Sequence, residues 1–180
     1  LLMGALTSHS INSALYGPAL AQFDMNTSFA PIAVVGREPL LIVVNPKLPV
    51  TNLRELVEHA RKNGLRYGSS GTGGPSHLAA ELLSTMSGVP MTHVPYKGDS
   101  AAIIDVMGGN VDMSVSSVSA AAAFIRGGRL RAIAMTSDQR SATLPDVPTA
   151  AEAGFPGLVA DSWVGMLAPS GTPPEVVRRL

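Results

Sequence analysis

Two periodicities take turns along this chain. Short apolar runs rich in β-branched residues, the mark of strands, occur at 1–6, 31–35, 40–44, 65–69, 91–95, 111–115 and 130–135. Between them lie segments with helical spacing. In Asn52–Asn63, Leu53, Leu56, Val57 and Ala60 share one face, and Gly64 follows as a stop. Ser76–Ser87 places Leu78, Leu82 and Met86 four residues apart. Asp99 reads as the cap of a helix to Met107 that Gly108-Gly109 closes, and Ala120–Ile125 is an Ala-rich helix stopped by Gly127-Gly128. The pattern also predicts a short helix over Asn12–Leu20, then an irregular stretch to Phe29.

The central block is the most regular. Strand, loop and helix follow one another three times from Leu65, and the apolar run 130–135 closes the series as a strand buried on both faces. Such alternation predicts an α/β fold with a mainly parallel sheet and crossover helices. Beyond it, Thr149 and Glu152 form a capping box with Gly154 as stop, and an apolar run covers 163–168. Thr172 reads as a second N-cap, with Pro173 at the first helical position and Glu175 completing the box. Both ends read as cut: the chain opens on an apolar run and closes inside a starting helix.

Composition narrows the function. Apolar residues make up 46% of the 180 and charged residues 14%, enough for a real core. Thirteen basic residues balance thirteen acidic ones, which argues against a general nucleic-acid or anionic-membrane binder. With no Cys there is no disulfide framework, thiolate metal site or thiol nucleophile. The four His show no paired metal-ligand spacing, and no apolar stretch reaches the roughly 20 residues of a membrane span.

The strongest local signal is the loop Gly68-Ser69-Ser70-Gly71-Thr72-Gly73-Gly74-Pro75-Ser76-His77. It leaves a strand and enters a helix. Its glycines let backbone N–H groups turn toward a ligand, its hydroxyls add donors, and the helix start adds partial positive charge. That combination suits an anion such as phosphate, sulfate or carboxylate. It is neither a Walker A loop nor GxGxxG, and an ordinary βα turn is the other reading. Tyr96-Lys97-Gly98-Asp99 follows the next strand, and Ser116, Ser117 and Ser119 follow the third. In open α/β sheets these three loops converge at one edge. Ser70 and His77 also invite a hydrolase reading, but no G-x-S-x-G elbow and no orienting carboxylate accompany them.

An ordered set of motifs resembles a known family. It comprises Tyr67–Gly73 with His77-Leu78, His93–Gly98, Gly108–Asp112, Gly128–Ala134, Leu144–Thr149 with Glu152–Gly154, and Trp163 to Pro173. These are similar to the Bug family, the extracytoplasmic solute receptors of tripartite tricarboxylate transporters, across essentially the whole chain. The resemblance implies a periplasmic-binding-protein-like (Venus-flytrap) α/β fold. It implies a complete second domain at 65–134 and an incomplete, discontinuous first domain at 1–64 and 135–180. It implies a small carboxylate ligand (a di- or tricarboxylate, amino acid or aromatic acid), membrane permease subunits as partners, a periplasmic location, and no catalysis, cofactor, metal or nucleic acid. The ligand contacts it implies are Ser69, Ser70, Gly71, Thr72, Gly73, His77, Tyr96 and Ser116, with Thr7, Ser8 and His9 from the other domain. The competing reading is an α/β Gly-loop enzyme acting on a phosphorylated or acyl substrate.

Overall fold

The computed structural model describes residues 1–5 and 25–180. Residues 1–38 with 162–180 form one compact unit, and residues 39–161 form a second. The boundaries expected at 64/65 and 134/135 both lie inside the second unit. The predicted helix at 12–20 lies outside the described residues.

In the first unit, strand β1 (Leu2–Ala5) pairs antiparallel with β7 (Asp161–Pro169), Leu2 opposite Leu167 and Gly4 opposite Gly165. On its other side β7 borders β2 (Phe29–Val44), which follows the short helix α1 (Met25–Ser28). The short helix α6 (Pro174–Val177) ends the chain. Its cap is Pro173 rather than Thr172. The two strands expected at 31–35 and 40–44 are one. Gly36 and Pro39 read as breaks, but both tolerate extended backbone, and Pro interrupts a strand only where its missing N–H is needed.

The second unit is a sheet with helices on both faces. Its elements are α2 (Leu53–Asn63), β3 (Arg66–Ser69), α3 (Pro75–Ser87), β4 (Thr92–Pro95), α4 (Asp99–Gly108), β5 (Met113–Ser117), α5 (Val118–Arg126) and β6 (Arg131–Met135). Strand β3 lies between β4 and β5 and is parallel to both. The later half of β2 is antiparallel to β5 on one side and β6 on the other. Thus β3, β4, β5 and β6 run one way, and β2 enters from the opposite direction between β5 and β6. The crossover through α5 carries the chain past one sheet position, and β2 fills it.

Strand periodicity divides the core. Leu40, Ile42 and Val44 of β2 join Met113 and Val115 under α2 and α3, while Leu41 and Val43 face Ile103, Val106 and Ala121 of α4 and α5. Both faces of β2 are covered, so its apolar residues run without a break. Helix α2 begins as its sequence requires: Asn52 accepts from Glu55 N–H at 2.9 Å. Helix α3 differs from its apparent stripe. Its buried face is Ser76, Ala79, Ala80 and Leu83, whereas Leu78 and Met86 are 40% and 39% exposed. Small residues let this helix lie close on the sheet, and the larger side chains flank the contact. Thr149 and Glu152 do make the reciprocal capping bonds, at 2.7 and 3.2 Å, but they close a turn and no α-helix continues from it.

Candidate functional site

The loop between β3 and α3 folds on its own side chains. Ser69 is fully buried, and its Oγ donates to Gly71 O at 3.1 Å and accepts from Gly71 N–H at 3.3 Å. Ser70 N–H donates to Ser76 Oγ at 3.0 Å, and the two hydroxyls meet at 2.9 Å. Gly73 N–H donates to Nδ1 of His77 at 3.1 Å. Gly74 N–H reaches Gly71 O at 3.3 Å. These bonds need left-handed backbone at Gly73 (φ +76°) and a positive φ of +147° at Gly71, conformations that a side chain would oppose. Thr72 is exposed. The first N–H of α3 to bond back into the helix is that of Leu78, to Gly74 O at 3.0 Å. The N–H groups of Ser76 and His77, two and one residues earlier, have no intrahelical acceptor.

An aromatic cluster supports this loop. Parallel pairing sets Tyr67 of β3 directly beside His93 of β4, so their side chains share a face. Their rings stack at 4.9 Å, and His77 stacks on His93 at 4.0 Å between ring centroids. Nε2 of His93 lies 2.7 Å from Ser69 Oγ. The tautomer of the His93 ring sets which of the two donates in that bond. The Tyr67 hydroxyl donates to the Glu81 carboxylate, and burial, reinforced by that bond, holds the phenol well above its usual range. Burial, with the neighbouring His77 second, pushes His93 below its usual range.

The next loop is stitched to the first. Tyr96 N–H donates to Ser69 O at 3.0 Å, and Gly98 N–H to Ser70 O at 3.1 Å. The Tyr96 hydroxyl turns away and donates to Asp105 of α4 at 2.6 Å. Burial, then this bond, pushes its phenol up to about 12. Asp99 does not cap α4, whose N-cap is Gly98. Its carboxylate instead accepts from Ser117 N–H at 2.9 Å and Ser117 Oγ at 2.8 Å, tying the start of α4 to the end of β5.

The structure therefore gathers Ser69, Ser70, Gly71, Gly73 and His77 into one hydrogen-bonded frame with the backbone of Tyr96, and leaves Thr72 exposed upon it. Ser116 is not in that frame. It lies within β5, fully buried, with its hydroxyl 2.9 Å from that of Ser114. Register places Ser114 beside Gly68, on the sheet face away from Tyr67 and Ser69. Thr7, Ser8 and His9 lie outside the described residues. Sequence reasoning gave Tyr67 and His93 no role at the site, and read Ser76 as a hydroxyl donor and Asp99 as a helix cap. The first two were findable, since each stands two residues before the end of its strand and parallel neighbours align there.

Ser70 and His77 do not make the hydrogen bond a hydrolase would need: Ser70 bonds Ser76, and the His77 Nδ1 is taken by Gly73. The one Ser–His pair here, Ser69 with His93, has a nucleophile with no exposed surface.

Residues 5–180 match the family described as the tripartite tricarboxylate transporter family receptor. The chain belongs to that receptor family. It is 38% identical to the protein BugT of Bordetella pertussis over 149 residues, which is 82% of this chain and 46% of that protein. Two solved structures of Rhodopseudomonas palustris proteins are similar across 98% of this chain. One, described with adipate, is 37% identical with a TM-score of 0.84 over 59% of its own length. The other, MatC with bound malate, is 31% identical with a TM-score of 0.81 over 60% of its length. The chain thus spans about half of the curated relative and about three-fifths of the solved ones. The α/β fold of periplasmic binding proteins is the family's, and the sheet with helices on both faces described above is part of it.

Proposed function

We propose that this chain is part of a periplasmic receptor that binds a small carboxylate and delivers it to the membrane subunits of a tripartite tricarboxylate-type transporter. The observation that carries the reading is the 69–77 loop: Ser69, Ser70, Ser76 and His77 are spent on holding its shape, and donors remain beside them. Those are the exposed Thr72 hydroxyl and the N–H groups of Ser76 and His77, which have no intrahelical acceptor at the start of α3. Backbone donors at a helix start suit an anion and cost little to reorganise. The Ser69, Ser70, Gly71 and Gly73 groups act as the frame, and Tyr96 as the stitch to the next loop. The malate and adipate held by related receptors make dicarboxylates the first class to test. Binding without chemistry is the role this site fits, because no exposed nucleophile is paired with a base.

A thermal-shift and calorimetry panel of malate, adipate, citrate, acidic amino acids and benzoate, with nucleotides and sugar phosphates as controls, tests this. A ligand at about 100 times its Kd adds about 2.7 kcal/mol to stability. A shift confined to carboxylates is expected. A shift confined to phosphorylated compounds would overturn the reading in favour of the Gly-loop alternative.

A further inference from the structure

His93, behind the loop, has no part in the binding role as so far described. His93 reaches two separate groups of the loop: its Nε2 holds Ser69, and its ring is stacked on His77. His77 in turn holds Gly73 through Nδ1, and a ring nitrogen that accepts a hydrogen bond carries no proton. The bond to Gly73 therefore exists only while His77 is neutral with its proton on Nε2. Protons added to this pair have two consequences, the first when His77 takes one on Nδ1 and the second when His93 is protonated as well. The first removes the acceptor from Gly73, and the second sets two cationic rings 4.0 Å apart. The titratable and charged groups facing His93 are Tyr67 from β3 and His77 and Glu81 from α3. The Glu81 carboxylate, which favours a cation, is engaged by the Tyr67 hydroxyl.

We propose that His93 is a positioning residue whose stack on His77 and bond to Ser69 hold the 69–77 loop in its binding shape, and that proton uptake by the two imidazoles releases the loop. The link to ligand affinity rests on the receptor reading above. The link to loop order does not. The sign follows from the depressed titration of His93: the ordered loop takes up the proton less readily than an open one. Order is complete above the ordinary value of 6.5 and is lost as pH falls below it toward the lowered value.

The test is Gly73 amide hydrogen exchange in the whole chain, expressed as a protection factor, with the Val115 amide of the core as internal reference. Between about pH 7.5 and about pH 5.5, Gly73 protection is expected to fall about fivefold while Val115 stays constant, the scale of one hydrogen bond lost. His77→Asn keeps an acceptor oxygen where Nδ1 was but does not titrate, so its Gly73 protection is expected to be flat over this range. His93→Gln keeps a hydrogen-bonding amide for Ser69 but not the stack, and is expected to lose about fivefold of Gly73 protection already at neutral pH. Malate and adipate titrations of the unmodified chain are expected to weaken in parallel with Gly73. Flat Gly73 protection in the unmodified chain would overturn the proposal, as would full neutral-pH protection in His93→Gln. Absence of binding by both acids at neutral pH would count against the ligand class alone, because the Gly73 readout needs no ligand.

Discussion

Gly68→Ala puts the contact between the β3–α3 loop and its support to a direct test. Gly68 has a negative φ, so nothing in its backbone demands glycine. On backbone grounds alone, alanine would stabilise the chain by about 0.4–1 kcal/mol through the unfolded state. Space reverses that sign. An added Cβ would lie 3.0 Å from the Cβ of Ala102 and 3.1 Å from Cε2 of Tyr96. Neither neighbour is a loose end. Ala102 is fully buried in α4, and the Tyr96 ring is pinned by its hydroxyl bond to Asp105. Overpacking of this kind costs about 1–3 kcal/mol, leaving a net loss of about 1–2 kcal/mol. For a chain of this length that lowers Tm by roughly 2–8 °C. Urea denaturation of Gly68→Ala, Tyr96→Leu and the double variant gives the coupling. Tyr96→Leu removes the pinned ring edge, so the double variant should be more stable than the sum of the single losses by at least about 0.5 kcal/mol. A Gly68→Ala protein as stable as the parent, or strictly additive losses, would refute the argument that helix α4 and Tyr96 leave room for glycine alone.

Two further substitutions test the frame elsewhere. Arg131 donates through one guanidinium nitrogen to Val50 O at 2.7 Å and Leu48 O at 3.2 Å, holding the turn ahead of α2 against β6. Arg131→Met should cost about 1–3 kcal/mol in urea unfolding, and an unchanged midpoint would show that those carbonyls find water instead. Glu55 accepts from Thr51 N–H and Oγ1, and the backbone bond to Thr51 is the main cause of its lowered titration. The stability it contributes is present above the ordinary carboxylate value of 4.5 and is lost as pH falls from there through the lowered one. Glu55→Gln should therefore show a shallower acid-side decline in Tm, and identical pH profiles would dismiss the linkage.

What the sequence made legible was local. The apolar face of the 52–63 helix, Gly64 as its stop and the 65–135 alternation depend on neighbours in the chain, and all appear in the structure. The misreadings involve partners distant in sequence. Asp99 had the residue type of a cap, but Ser117, eighteen positions on, offers its carboxylate two donors. Ser116 had the composition of a loop, yet pairing with Leu41 of β2 extends β5 through Ser117 and turns that hydroxyl inward. The antiparallel entry of β2 is invisible to periodicity, because a strand buried on both faces looks the same in either direction. In the loop itself the residue types singled out one βα turn and left the roles of its residues open. Whether a serine serves a ligand or its own backbone depends on the register of β3 against β4.

The division of labour inside the loop has a consequence for specificity. A loop whose hydroxyls faced outward would have to reorder them for each ligand and would pay side-chain entropy on binding. Here Ser69, Ser76 and His77 are already engaged with the backbone and Ser70 with the Ser76 hydroxyl, so on the proposed role the donors at the start of α3 are held before a ligand arrives. Backbone donors recognise the charge and shape of a carboxylate and are indifferent to the rest of the molecule. On the proposed role, such a frame suits acids like malate and adipate alike, which share carboxylate ends and differ in length and substitution. Discrimination between such acids would then fall to groups beyond the loop. Substitutions within it should change affinity for all carboxylates by similar factors, and a variant such as Ser76→Ala that altered the ranking of malate and adipate would contradict this.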